Sequence, residues 1–140
     1  MIVRCTANSG AALPEANLDP RRGYDRTTEF PLTLGRDYTV FAITVFLGTA
    51  WYYVLDDDGL DWPTWSPSAL FDVVDGAIPA SWIIGYFRAS AENQYPIISF
   101  PEWAQDHQFY ERLVDRDPVA TATFARRRVE TEGVTGAGLE

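Results

Sequence analysis

The segment from Asp37 to Val54, "DYTVFAITVFLGTAWYYV", constrains the fold most: two strand-forming runs flank a single glycine, and the first is apolar on both faces. Phe41, Ile43, Val45 and Leu47 alternate on one side, and Tyr38, Val40, Ala42 and Phe46 form most of the other. β-Branched and aromatic residues at period two mark a strand. One that is apolar on both sides must be covered on both sides, in a barrel or sandwich or beneath a helix. Gly48-Thr49 fits a two-residue type II′ turn with glycine at its first central position. That turn pairs Leu47 with Ala50, Phe46 with Trp51, Val45 with Tyr52 and Thr44 with Tyr53. Tyr52 and Val54 then join the Phe41/Ile43/Val45 face, while Trp51 and Tyr53 join Phe46 and Tyr38, so the two halves of the hairpin agree.

Around this hairpin the chain alternates between short strands and turn-rich stretches. Ile2 to Ala7 reads as a strand. Asn8 to Thr28, containing "LPEANLDPRRGYDRTT", has no sustained period and reads as a functional loop or a wrapped, poorly ordered one. Phe30, Leu32 and Leu34 alternate up to Gly35. Ala69 to Val74 forms a further strand before the Asp75-Gly76 turn, Ser81 to Phe87 another with Gly85 as a bulge candidate, and Tyr95 to Ser99 the last. Ser99 and Glu102 form a capping-box pattern, and Trp103, His107, Tyr110 and Val114 recur on one helical face. Asp117-Pro118 starts a second helix running to about Glu130. Residues 133–140, "GVTGAGLE", read as a flexible tail whose Leu-Glu ending is of the kind an expression tag leaves. The expectation is one α+β domain over residues 1–132, a small twisted antiparallel β-barrel or sheet with two C-terminal helices packed on it.

Three stretches carry a family resemblance. "FPLTLGRDYTVF" resembles the Leu-x-x-Gly-Asp-x-x-x-Val opening of SH3-type domains, with Arg36 between the glycine and the aspartate. "TAWYYVL" resembles their aromatic third strand, and "WSPSALFDVV" their Pro-Ser-Asn-Tyr-Val turn and last strand. The resemblance covers Phe30 to Asp75, about a third of the chain, and implies a small antiparallel barrel. In that family a third-strand Trp, a turn Pro and a turn Tyr line a groove for Pro-rich peptides. Trp51 and Pro67 stand at two of these positions, but Leu70 replaces the Tyr and the Ala-Leu-Tyr-Asp-Tyr start is absent.

At 140 residues, with 46% hydrophobic and 22% charged residues, the chain falls in the range of one soluble domain able to bury a core without metal or disulfide. Its one cysteine, Cys5, lies in an apolar-alternating stretch and reads as a buried thiol. No run approaches a membrane span and the start lacks a leader pattern, so the expected location is the cytoplasm. The formal charge is −9, and all eleven basic residues are Arg. Nucleic-acid binding draws on Lys and Arg neutralising phosphates, so this charge opposes it, as it opposes docking on an anionic membrane. The run Arg126-Arg127-Arg128 reads as a solvated helix face. A basic protein partner is attracted by the same field.

Four carboxylates and three indoles fall between Trp51 and Pro67. Counted from Asp56, an EF-hand would need oxygen ligands at alternating positions and Glu at the twelfth; Leu60 and Pro67 stand at the fifth and twelfth, so the calcium pattern fails. A loose divalent site from Asp56, Asp58 and Asp61 is weighed against a solvated hairpin tip, and the tip is the expectation. Trp62-Pro63 and Trp65-Ser66-Pro67 sit in turn contexts, where exposed indoles beside carboxylates describe a protein-binding patch and buried ones would close one end of the barrel. His107 is the sole histidine, so nucleophilic catalysis would depend on it; its stripe with Trp103 and Tyr110 reads as a packed imidazole. Glu102 and Asp106 share a helix face, a common surface pattern. Zinc-ligand sets and phosphate-cradling glycine motifs are absent.

The leading functional expectation is a non-enzymatic, acidic, bacterial protein-binding module of immunity or adaptor type, with no cofactor or metal. Its candidate surface is Trp51, Asp56, Asp57, Asp58, Asp61, Trp62, Trp65 and Pro67. The alternative is a small-molecule-binding or hydrolytic protein with a barrel pocket lined by Tyr52, Tyr53, Trp82, Tyr86 and His107. A third reading has the 8–28 segment clasp a second copy as a homodimer.

Overall fold

The computed structural model describes residues 1–46 and 48–137, the last four by backbone alone. It is an α+β fold. Seven strands, β1 (Ile2–Cys5), β2 (Asp37–Phe46), β3 (Thr49–Val54), β4 (Thr64–Pro67), β5 (Phe71–Asp75), β6 (Ile83–Arg88) and β7 (Gln94–Ser99), form one antiparallel sheet. Three helices follow, α1 (Pro101–Ala104), α2 (Phe109–Val114) and α3 (Pro118–Ala137). The main path runs β4-β3-β2-β1-β5, and the β6-β7 hairpin joins through β7 to β2. Ten-residue β2 is the hub, because its first residues pair with β1 and its remainder with β3 and β7. The end strands β4 and β5 are linked by only the 3-10 turn Ser68–Leu70, so the sheet curls until its ends approach. They do not pair with each other, and the sheet stays open.

The central hairpin forms, with a different register from the one expected. Phe46 pairs with Thr49, Thr44 with Trp51 and Ile43 with Tyr52, so Thr49 is a strand residue and Gly48, at φ +73°, carries the left-handed turn geometry. Leu47 lies outside the described residues. Thr49 is β-branched and suits a strand. It is also held there, because its hydroxyl donates to the Phe46 carbonyl and accepts the Asn17 side-chain amide at 2.5 Å. The slip is two residues, so Trp51 and Tyr53 keep the face of Phe46. A bulge at Phe41 then sets Val54 opposite Val40, so Tyr38 and Val40, expected on the face of Trp51 and Tyr53, lie on the opposite one with Tyr52, where Tyr38 packs on Phe71.

Other expectations need correction. Thr64–Pro67, read as turns, is a strand. Proline is tolerated because Pro67 ends an edge strand, where no partner needs its missing N–H. Phe30 to Leu34 is no strand; Leu32 N–H folds back to the Phe30 carbonyl at 2.8 Å. Strand β6 keeps an uninterrupted register through Gly85, so no bulge lies there. The 8–28 segment is ordered as a strap of three short 3-10 turns, closed by the bridges Ser9–Glu29 and Asp19–Tyr24. Leu13 and Asn17 of the strap are buried in this domain, and the Asn17 side-chain carbonyl has no partner among the described residues.

The first expected helix is two. The Ser99 hydroxyl donates to the Phe41 carbonyl rather than capping, and Asp106 accepts from the Gln108 N–H and the Arg112 guanidinium, which turns the chain between α1 and α2. Glu102 and Asp106 therefore do not act as a pair. Glu102 receives both Arg126 and Arg127, so the arginine run clamps α3 to α1 instead of facing solvent throughout. Helix α3 passes the expected end at Glu130 and continues to Ala137; residues 138–140 of the expected tail are outside the described residues. Phe41, Trp51, Phe100 and Trp103 are at most 2% exposed, and burial of each such ring contributes about 2–3 kcal/mol. Among the described residues no helix is long and apolar enough to cross a membrane.

Candidate functional site

Where the curled sheet meets the strap and α2, the side chains leave an open cleft of about 750 Å³. Strand alternation builds its floor: Thr44 and Phe46 on β2 and Trp51 and Tyr53 on β3 point to one face. Strand β4 adds Trp65, directly across from Tyr53. The strap supplies Arg22 and Tyr24 as one wall. Tyr110, Glu111, Val114 and Asp115 come from α2 and its C-terminal cap, with His107 just before that helix, and Asn93 and Tyr95 close the far end.

The rings hold one another in place. Tyr53, Trp65 and Tyr110 form a triangle with centroids 5.3–5.9 Å apart and interplanar angles of 60–67°. Tyr24 leans on Trp51 at 5.4 Å and accepts the Trp65 indole N–H at 3.0 Å, tying the strap to β4. Polar ends are committed elsewhere: the Trp51 indole donates to the Phe46 carbonyl at 2.9 Å and the Tyr110 hydroxyl to the Pro63 carbonyl at 2.8 Å. Burial pushes both the Tyr53 and Tyr110 phenols far above the usual tyrosine range, reinforced at Tyr53 by the neighbouring phenols and at Tyr110 by Asp56. Both stay neutral at any physiological pH. The Tyr53 hydroxyl makes no hydrogen bond among the described residues.

Among the described residues, three formal charges line the cleft. Arg22 lies 4.4 Å over the Phe46 ring and pairs with Asp19 at 3.2 Å. Glu111 and Asp115 make no side-chain hydrogen bond or ion pair among the described residues. They sit four apart on one helical face, with Asp115 at the C-terminal cap of α2. Like charges at that spacing repel, and a carboxylate at a helix C-terminus meets the negative end of the helix dipole.

The expected surface divides. Trp65 is 42% exposed and lines the cleft, whereas Trp51, also in the lining, is 1% exposed and Pro67 is buried. Trp51 and Pro67 therefore present no open groove for a Pro-rich peptide. Asp57 accepts hydrogen bonds from Thr33 (2.6 Å), Arg36 (3.0 Å) and Tyr38 (2.8 Å), which makes it a clasp rather than a tip residue. Asp56 accepts from the Thr64 hydroxyl at 2.6 Å, while Asp58 and Asp61 are exposed. Trp62 lines a separate depression of about 310 Å³ with Asp61 and Arg116, away from Trp65. Among the described residues no three His, Cys, Asp or Glu side chains gather as metal ligands.

Of the alternative lining, Tyr53 and His107 reach the cleft. Tyr52 points to the opposite face and packs on Phe71, Trp82 lies in the core, and Tyr86 faces outward on β6 at 51% exposure. His107 is exposed, not packed, because the helix that would have buried it breaks beside it; its ring touches Phe87 at 6.0 Å. Cys5 is a buried thiol as expected, its pKa raised by that burial. The sequence reading missed Tyr24, Phe46, Tyr110, Glu111 and Asp115. Alternation along β2 carried the signal for Phe46, but nothing local predicts that the strap and α2 face it. Compared with protein-family models, curated proteins and solved structures, the chain gives no match.

Proposed function

We propose that this domain is a binding module and that the aromatic cleft, rather than the Asp56–Asp61 tip, is where it binds. The observation that carries this reading is the half-exposed Trp65, fixed against Tyr24, Tyr53 and Tyr110 at the mouth of a preformed concavity. Rigid aromatic area beside polar groups is what interface anchors are made of. The occupant on this reading is a side chain of a basic protein partner, in the manner of an immunity or adaptor protein, drawn by the net charge of −9. A second reading, a small organic ligand, is favoured by the cleft volume of about 750 Å³, within the usual ligand range. An SH3-like origin of the sheet is supported by the five-strand path and by the 3-10 turn that joins its end strands.

A fragment screen read by protein NMR tests the site. Aromatic and cationic fragments should shift the Trp65 indole and the Tyr53 and Tyr110 signals together, and Trp65→Ala should abolish those shifts while the remaining spectrum holds. Hits that cluster at Asp58 and Asp61 and spare the cleft would restore the tip as the binding surface. For the protein partner, equal retention at low and high salt would contradict electrostatic steering.

A further inference from the structure

Resting on the cleft as the binding site, we propose that its specific occupant is a guanidinium group, the side chain of an arginine on the partner. Three observations converge. Glu111 and Asp115 are carboxylates without a partner among the described residues, on one helical face at the cleft rim, placed so that a cation there relieves both their mutual repulsion and the clash with the dipole of α2. In the same cleft the Trp65 ring, 42% exposed and held against Tyr53 and Tyr110, attracts a cation and stacks a planar one.

The cleft also contains an example of this chemistry. At its opposite wall Arg22 stacks over Phe46 while a carboxylate, Asp19, holds its edge. A second guanidinium over the Trp65 ring, with its N–H groups donating to Glu111 and Asp115, repeats that arrangement. Arg22 does not block entry electrostatically, because Asp19 balances its charge. A lysine ammonium would satisfy the carboxylates but not the stacking; a neutral planar group would stack but leave the carboxylates unpaired.

Three probes separate these elements: acetylated, amidated Gly-Arg-Gly, the same tripeptide with lysine, and the same with citrulline, the neutral planar isostere of arginine. Each is titrated into the full chain at low salt, following the Trp65 indole N–H. The arginine peptide should bind about tenfold more tightly than either counterpart, the scale of one charge-assisted, stacked contact. The double variant E111Q/D115N should remove that advantage and leave the citrulline peptide unchanged. If citrulline binds as well as arginine, or the double variant binds arginine normally, the proposal is overturned while the cleft survives as a site. Lysine equal to arginine likewise overturns guanidinium recognition. If no probe moves the Trp65 signal of the folded protein, the proposal falls, and a fragment screen that also spares the cleft removes the underlying reading with it.

Discussion

A methyl group added at Gly85 would fall 1.7 Å from the carbonyl oxygen of Ala104, because β6 runs directly beneath the end of α1. This glycine is a close-approach residue rather than the bulge its place in a strand suggested. The oxygen belongs to backbone, so it cannot swing aside as a flexible side chain would. Gly85→Ala should therefore lower the unfolding free energy by about 3 kcal/mol through overpacking, read as a reduced urea midpoint. A midpoint within error of wild type would show that α1 shifts freely on the sheet.

Acid should unfold this protein through carboxylates that the folded state holds ionised. Burial tends to raise the Asp57 carboxyl, but hydrogen bonds from Thr33 and Tyr38 and the Arg36 charge outweigh it and leave its pKa below the usual range. The Glu102 carboxyl is lowered by Arg127 and Arg126 against its own burial, and the Asp106 carboxyl by Arg112. A depressed folded-state pKa contributes stability that is complete above the unfolded value, about 4, and is lost as pH falls through the folded value. Stability should thus be level near neutrality and decline below about pH 4. Asp57→Asn should cost about 1–3 kcal/mol at neutral pH and flatten the acid limb. An unchanged limb would show that Asp57 is not a contributor.

His107→Ala should leave stability within about 0.5 kcal/mol of wild type, as for exposed residues outside hydrogen-bond networks. The imidazole has no hydrogen-bond partner among the described residues, and its ring centroid lies 6.0 Å from that of Phe87. A large loss on thermal melting would mean that the ring supports the α1–α2 corner.

Fluorescence quenching should separate the five tryptophans. Trp51, Trp82 and Trp103 are shielded, while Trp65 is exposed and Trp62 half-buried. With Glu111 and Asp115 at the cleft and Asp61 beside Trp62, caesium should quench more than iodide. Trp65→Phe should remove most of the caesium-accessible fraction; a variant quenched like wild type would place the accessible indole elsewhere.

Local pattern was enough for the parts of this molecule governed by neighbours in sequence. Period-two alternation from Asp37 to Val54 marks the hairpin and puts Phe46, Trp51 and Tyr53 on one face, because a register error of two residues preserves strand parity; the bulge at Phe41, which no local pattern announces, moves Tyr38 and Val40 to the other. The Ser99 to Asp106 stretch shows the opposite case. A capping-box pattern was present, but the Ser99 hydroxyl found the Phe41 carbonyl and Glu102 found Arg126 and Arg127, partners more than twenty positions away. Long-range hydrogen bonds and ion pairs outcompeted the local cap, while the break that leaves His107 exposed comes from Asp106, which accepts from the Gln108 N–H and the Arg112 guanidinium.

The amino-acid order alone therefore determined the α+β class, the apolar ribbon at its centre, the buried Cys5 and the acidic surface charge. Tertiary structure alone decided which rings meet. Tyr24, Trp65 and Tyr110 lie on three separate segments, and they form one surface only because the strap folds back over the hairpin corner and the broken helix turns α2 toward the sheet. Periodicity reports the face of an element, whereas a cleft is set by how elements pack across long chain separations.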